Sequence, residues 1–292
     1  MRIAVGFFGI PRSSDICHPS IQEHVLGALP TDADVTCFYH FYQQDAVINE
    51  RSGESGTLTE SNYSPFVDTM AGILEKPGEC LDRWDFETFK KYGDAWDDGF
   101  SSLRNLIHQL NSLHQVTALI EASKPDLVVF ARPDLYYHSP LPQYPFSQST
   151  QWQRTVYVPS WQWWNGFNDR LAICGSDSFR AYGCRIEEAM NFCEAGNKLH
   201  GERLLKYALS NAQSRIRTIS TRATRVRVDG RFHREHFSIM RSTGGELPIE
   251  ILNRVSRMQT LFDRVAAASH GDAHRFATIA RHHAAIGHVT NG

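Results

Sequence analysis

PDLVVFARPDLYY, residues 125–137, is the stretch on which the fold turns. Its centre, Leu127 to Ala131, is a short, unbroken apolar run with two β-branched valines. Such a run does not alternate with polar residues, so it predicts a strand buried on both faces, as in a parallel sheet covered by helices. The apolar run then stops at Arg132-Pro133-Asp134. On an extended chain, residues two apart point to the same side, so Arg132 and Asp134 emerge together at the carboxyl end of the strand. That end is where open α/β sheets bind ligands. A carboxylate there can hold Mg²⁺ or Mn²⁺, and the ion in turn a diphosphate. The same two residues can also form an ion pair that closes the strand.

Working outward, RIAVGFF (2–8) and ADVTCFYHFY (33–42) predict two more strands, with IQEHVLGAL (21–29) at helical spacing between them. TVYVPS (155–160) and RLAICGS (170–176) add two short strands, and RIRTISTRATRVRVDG (215–230) one or two basic ones. The clearest amphipathic helix is LRNLIHQLNSLHQVTALIEAS (103–123), with Leu103, Leu106, Ile107, Leu110, Leu113, Val116, Thr117 and Ile120 near one face. Helices are also expected over 176–194 and 200–212, and residues 45–100 read as an irregular excursion over a cleft with one short helix. Strand, helix, strand in this rhythm predicts a single Rossmann-like α/β domain with a mostly parallel central sheet over residues 1–245. IEILNRVSRMQTLFDRVAAA (249–268) predicts a C-terminal helical extension within residues 246–292.

The chain has 292 residues, 41% hydrophobic and 21% charged, which argues against a disordered or fibrous protein. No apolar run approaches the ~18–20 residues of a membrane-spanning helix. The N-terminal apolar run is interrupted by Pro11 and Arg12, unlike a secretory signal. The six cysteines show no CxxC pair, and a reducing cytoplasm is the expected compartment. The formal net charge of −2 conceals a split: residues 1–202 carry −11, and residues 203–292, with fourteen arginines, carry +9. The basic third suits phosphate groups or the surface of an anionic membrane. Nucleic acid is not expected, because no recognised RNA or DNA module leaves its signature.

RIAVGFFGIPRS, ADVTCFYHF, the helix NLIHQLNSLHQVTALIE, PDLVVFARPDLYY, FNDRLAICGSDSFRAY and HGERLLKYAL follow one another in that order. Together they resemble bacterial and viral glycosyltransferases of capsule and lipopolysaccharide synthesis, which have a nucleotide-sugar-binding A-type fold. The resemblance is spread over residues 1–230 and rests on the ordered set. It implies transfer of a sugar from a nucleotide-sugar donor to a glycan or lipid-linked acceptor, with a divalent cation, Mn²⁺ or Mg²⁺, on the donor diphosphate. The R-x-D of Arg132 and Asp134 stands where related enzymes carry D-x-D, so one metal-binding acid is replaced by a base.

The same resemblance distributes roles. Gly9 and Arg12 would lie at the first strand-to-loop turn, where glycine admits close backbone approach and arginine can grip a phosphate. His40 would lie beside the nucleotide, and Asp134 and a late histidine, His236, would ligate the metal. Trp163, Trp164, Asn168 and His200 are candidates for the sugar, since sugar faces stack on indoles and hydroxyls bond to amides. Asp169 and Glu202 are the candidate acceptor-orienting or general-base acids. Two alternatives stand beside this reading: a carbohydrate- or nucleotide-binding module without catalysis, and another nucleotide-dependent transferase such as a sulfotransferase. The absence of a GxxxxGK[ST] loop removes P-loop kinases.

Overall fold

The computed structural model describes residues 1–147, 152–235 and 237. The expected C-terminal extension and His236 lie outside the described residues. Eleven strands are described: β1 Arg2–Gly9, β2 Asp34–Tyr42, β3 Ala46–Asn49, β4 Glu54–Thr57, β5 Ala71–Glu75, β6 Leu127–Ala131, β7 Leu135–Tyr137, β8 Thr155–Pro159, β9 Leu171–Gly175, β10 Arg215–Ile219 and β11 Ala223–Arg225. Seven of them form one sheet in the order β10-β8-β9-β6-β1-β2-β5. Every pairing is parallel except those of β9, which runs against both β6 and β8. The architecture is therefore α/β with a mostly parallel, Rossmann-like sheet.

All five residues of β6 are buried, with Val129 in register between Val5 of β1 and Ile173 of β9. Helix Ser101–Glu121 lies on the sheet and buries Leu103, Leu106, Ile107, Leu110, Leu113, Val116 and Ile120, the predicted face. Each such side chain contributes about 1.5–3 kcal/mol of burial. β1 feeds helix Ser14–Ile21 toward β2 on one side, while β6, reached through the long helix, lies on the other side of β1. The loops after β1 and β6 therefore diverge, and the gap between them is the place where doubly wound sheets admit ligands.

The structure departs from expectation in four places. Residues 45–100 are ordered elements: hairpin β3–β4, helices Glu60–Val67, Glu79–Arg83 and Phe86–Lys91, and edge strand β5. β5 escapes a burial-based reading because Ile73 and Leu74 remain exposed. The run 125–137 is two strands, divided at Arg132-Pro133, where proline has no N–H to give to a ladder. The first helix starts at Ser14 and passes into a π turn over Gln22–Leu26. The helix expected at 176–194 is broken into Phe179–Gly183, a 3₁₀ turn Arg185–Glu188, and Ala189–Glu194. Its Gly183 packs directly on the long helix, for a Cβ there would fall 2.1 Å from Thr117 Oγ1.

Candidate active site

A cavity of about 930 Å³ opens at the carboxyl ends of β1 and β6, walled also by hairpin β3–β4, the start of helix Gly201–Asn211 and the end of β11. β1 ends at Gly9, whose φ of +110° suits glycine alone and whose N–H is held by Ser112 Oγ at 2.8 Å. The chain thus turns sharply and brings Arg12 back over the sheet.

One end of the cavity is a buried lattice of charge. Arg12 donates to Asp134 Oδ2 from Nε at 3.0 Å and from Nη2 at 2.7 Å, and from Nη1 to both oxygens of Glu54 at 2.7 Å. Arg132 donates to Asp134 Oδ1 at 2.8 Å and Oδ2 at 2.7 Å. Glu54 also accepts from Arg227 Nη1 at 2.8 Å and from the Val228 N–H at 2.9 Å. Burial pushes the Asp134 carboxyl up, but Arg132 and Arg12 more than reverse this and hold it well below the usual carboxylate range. Alongside, Glu235 lies 2.9 Å from Arg170 Nη1 and accepts from Arg225 Nε at 3.3 Å. The Arg170–Glu235 contact is a close, buried ion pair. Burial and then Arg170, with Arg132 and Arg227 adding to them, push the Arg225 guanidinium down to about 9 against the pull of Glu235. Positive charge is concentrated here.

The other end carries acids. Arg132 Nη1 donates to Gln109 Oε1, and Gln109 Nε2 donates to Asp169 Oδ2 at 2.8 Å, so a side-chain relay links the two ends. Asp169 Oδ2 lies 3.5 Å from Arg185 Nη2. Gly201 admits this carboxylate to the start of its helix, since a Cβ there would fall 2.8 Å from Asp169 Oδ2. Next in sequence, Glu202 is pushed up to about 8 by burial and by Asp169, against Arg170 and Arg225. It lies 3.2 Å from His200 Nδ1, and the His200 ring is stacked on Trp96 at 5.1 Å. Burial and Arg203 push His200 down to about 4, so it is neutral near pH 7. Trp96 is positioned by Asp94, whose carboxylate accepts from the N–H groups of Trp96, Asp98 and Phe100.

Of the sequence candidates, Gly9, Arg12, Arg132, Trp164, Asp169, His200 and Glu202 line this cavity. His40 does not reach it. Its ring is fully buried, 2.9 Å from Glu75 Oε2 and 3.1 Å from Ser112 Oγ. Trp163 is also a core residue, donating to the Pro159 carbonyl, because alternation in a tight turn sends Trp163 inward and Trp164 out. Asn168 is buried and ties its loop together, donating to the Trp161 carbonyl and accepting the Arg170 N–H. Glu54, Gln109, Trp96 and Arg170 complete the site without having been singled out. Glu54 lay in the excursion, and Gln109 lies on a helix whose apolar period alone was legible.

A divalent cation does not fit these residues. Both oxygens of Asp134 are taken by guanidinium groups, and it stands 1% exposed beneath Arg12 and Arg132 rather than open to the cavity. Asp134, expected as a metal ligand, is instead engaged by Arg12 and Arg132. Among the described residues a single trio of potential ligands gathers, His114, Cys184 and Glu187, and none of the three lines the cavity. No described helix is long and apolar enough to cross a membrane. All six cysteines are unpaired.

No protein-family model matches the chain, and no curated protein matches it. Among solved structures it is similar to apo mouse xyloside xylosyltransferase 1, at 10% identity and a TM-score of 0.41 over 75% of this chain and 85% of that one. It is also similar to the galactosyltransferase LgtC in complex with donor and acceptor sugar analogs, at 10% identity and a TM-score of 0.39 over 75% of this chain and 73% of that one. Likeness of this degree assigns no reaction to this chain.

Proposed function

We propose that this protein is a glycosyltransferase, moving a sugar from a nucleotide-sugar donor to a hydroxyl of a glycan or lipid-linked acceptor. The observation that carries this reading is the division of the cavity into an arginine-rich end at the β1 and β6 termini and an end with Asp169 and Glu202, joined by the Arg132–Gln109 relay. In the reaction the acceptor oxygen bonds to the anomeric carbon while the bond from that carbon to the diphosphate breaks. The nucleoside diphosphate leaves with the electron pair, and guanidinium groups fixed in a low-dielectric site stabilise the charge that develops on it. Asp169, held by Gln109, orients the acceptor hydroxyl. Glu202, pushed up to about 8, receives the hydroxyl proton in its ionised form, the minor form at pH 7 and the major one above pH 8. Trp164, 42% exposed at the rim, offers a sugar-stacking face. Residues 1–245 would form the catalytic domain, working in the cytoplasm or at the surface of a membrane.

The test is a panel of nucleotide sugars incubated with the full chain and mixed glycan acceptors, with released nucleoside diphosphate measured. Release that falls at least tenfold in both Asp169→Asn and Glu202→Gln is the expected result. Binding of a nucleotide sugar with neither transfer nor hydrolysis would favour the non-catalytic module, and binding of a sulfonucleotide alone a sulfotransferase.

A further inference from the structure

The arginines at the cavity's charged end are not equally committed. Arg12 uses Nε and both Nη nitrogens on Asp134 and Glu54, and Arg132 uses all three of its nitrogens on Asp134 and Gln109. Those two are held in place. Arg225 commits only Nε, at 3.3 Å, and its side chain is 24% exposed on the cavity wall. Arg170 meets Glu235 through Nη1 alone, at 2.9 Å, its guanidinium lying over the Trp161 ring at 5.4 Å. Each thus engages Glu235 through one nitrogen, and the other two nitrogens of each guanidinium remain for a ligand.

We propose that Arg170 and Arg225, braced by the Arg12–Asp134–Arg132 lattice, bind the diphosphate of a nucleoside diphosphate directly, without a divalent cation. This rests on the glycosyl-donor reading and deepens it. Five guanidinium groups meet here (Arg12, Arg132, Arg170, Arg225 and Arg227), against three carboxylates in contact with them (Glu54, Asp134 and Glu235). The surplus is two positive charges, the charge that a divalent cation would bring. Glu202 does not cancel it near pH 7, being pushed up to about 8, and Asp169 has Arg185 beside it. Burial and, after it, the neighbouring Arg170 depress the proton affinity of Arg225, and a bound anion would offset the repulsion between the two guanidinium groups. A cation entering the same space would have to displace a guanidinium from Asp134 and then face the remaining four, a repulsion that little water is present to screen. Arginine suits this task, since its planar fork pairs with phosphate oxygens two at a time.

Calorimetric titration of the full-length protein tests this. The ligands are a panel of nucleoside diphosphates, inorganic pyrophosphate and sulfate, each in EDTA and in Mn²⁺. Nucleoside diphosphate affinity equal within about threefold in the two buffers is expected, together with a loss of about tenfold to hundredfold in Arg225→Gln, the change set by one charge-assisted hydrogen-bond donor. Gln can still donate to Glu235, so that variant is expected to fold. Its thermal midpoint, measured beside wild type, separates lost binding from lost structure. Binding of nucleoside diphosphate only in Mn²⁺, or unchanged binding in Arg225→Gln, overturns the inference and leaves the donor reading standing. Pyrophosphate binding in EDTA with no nucleotide bound supports the arginine clamp while sinking the donor reading. No binding of any anion in either buffer overturns both.

Discussion

Glu202 stands in the first turn of a helix, mostly buried and within the field of Asp169, and these surroundings lift its carboxyl from 4.5 to about 8. A group whose proton affinity is higher folded than unfolded adds stability that is complete below pH 4.5 and is lost as pH rises through about 8. Wild type is therefore expected to lose thermal midpoint between pH 6 and pH 9 relative to Glu202→Gln, measured by differential scanning fluorimetry. Turnover in that variant should fall about hundredfold, the usual worth of a general base. Asp134 makes a contrasting case. Asp134→Asn breaks a buried pair and leaves Arg12 and Arg132 partly unmatched, for an expected loss of about 3–5 kcal/mol. Chemical denaturation with and without Mn²⁺ should show the same loss, and a loss confined to Mn²⁺ would restore the metal role. Gly201→Ala would place a methyl 2.8 Å from Asp169 Oδ2 and displace that carboxylate. A tenfold or larger drop in kcat with a thermal midpoint changed by only a few degrees is the expected outcome.

Two backbone segments set the acid end. The loop from Trp161 to Arg170 meets the start of helix Gly201–Asn211 through the Phe167 N–H, which donates to the Glu202 carbonyl at 3.0 Å. Gly166 permits this approach, as a Cβ there would fall 1.8 Å from that oxygen. Gly166→Ala should force loop and helix apart, costing about 1–3 kcal/mol and raising KM for the sugar ligand, as urea unfolding and steady-state kinetics would report. Elements with a clear apolar or β-branched signature were legible in advance: β1, β6 and the long helix, each with one buried pattern, and β2, whose last four residues are buried. Hairpin β3–β4 and edge strand β5 were not. Their residues are short, polar or half-exposed, and the hairpin's Glu54 takes its importance from Arg12 and Arg227, which reach it from 42 and 173 residues away.

Across the whole molecule, the charge split has two uses. Arg225 and Arg227 of the basic third enter the cavity, whereas Arg215 and Arg217 lie along the outer edge of the sheet on β10, where charge discourages edge-to-edge pairing. A chain ending at Gly245 is expected to keep its thermal midpoint within about 3 °C, and a larger fall would show that the last 47 residues belong to the same folding unit. The α/β rhythm, the parallel sheet and the emergence of Arg132 and Asp134 at a strand end all followed from the order of residues. Each depends on neighbours two to four positions apart, where steric and hydrophobic periods act. Whether Asp134 would hold a metal or an arginine did not follow. That choice depends on which charged groups meet once water has been excluded, and Arg12 and Glu54 meet only when β1, β6 and the hairpin are assembled. The physical reason is desolvation: a buried carboxylate needs a cationic partner, and the fold sets two guanidinium groups against Asp134.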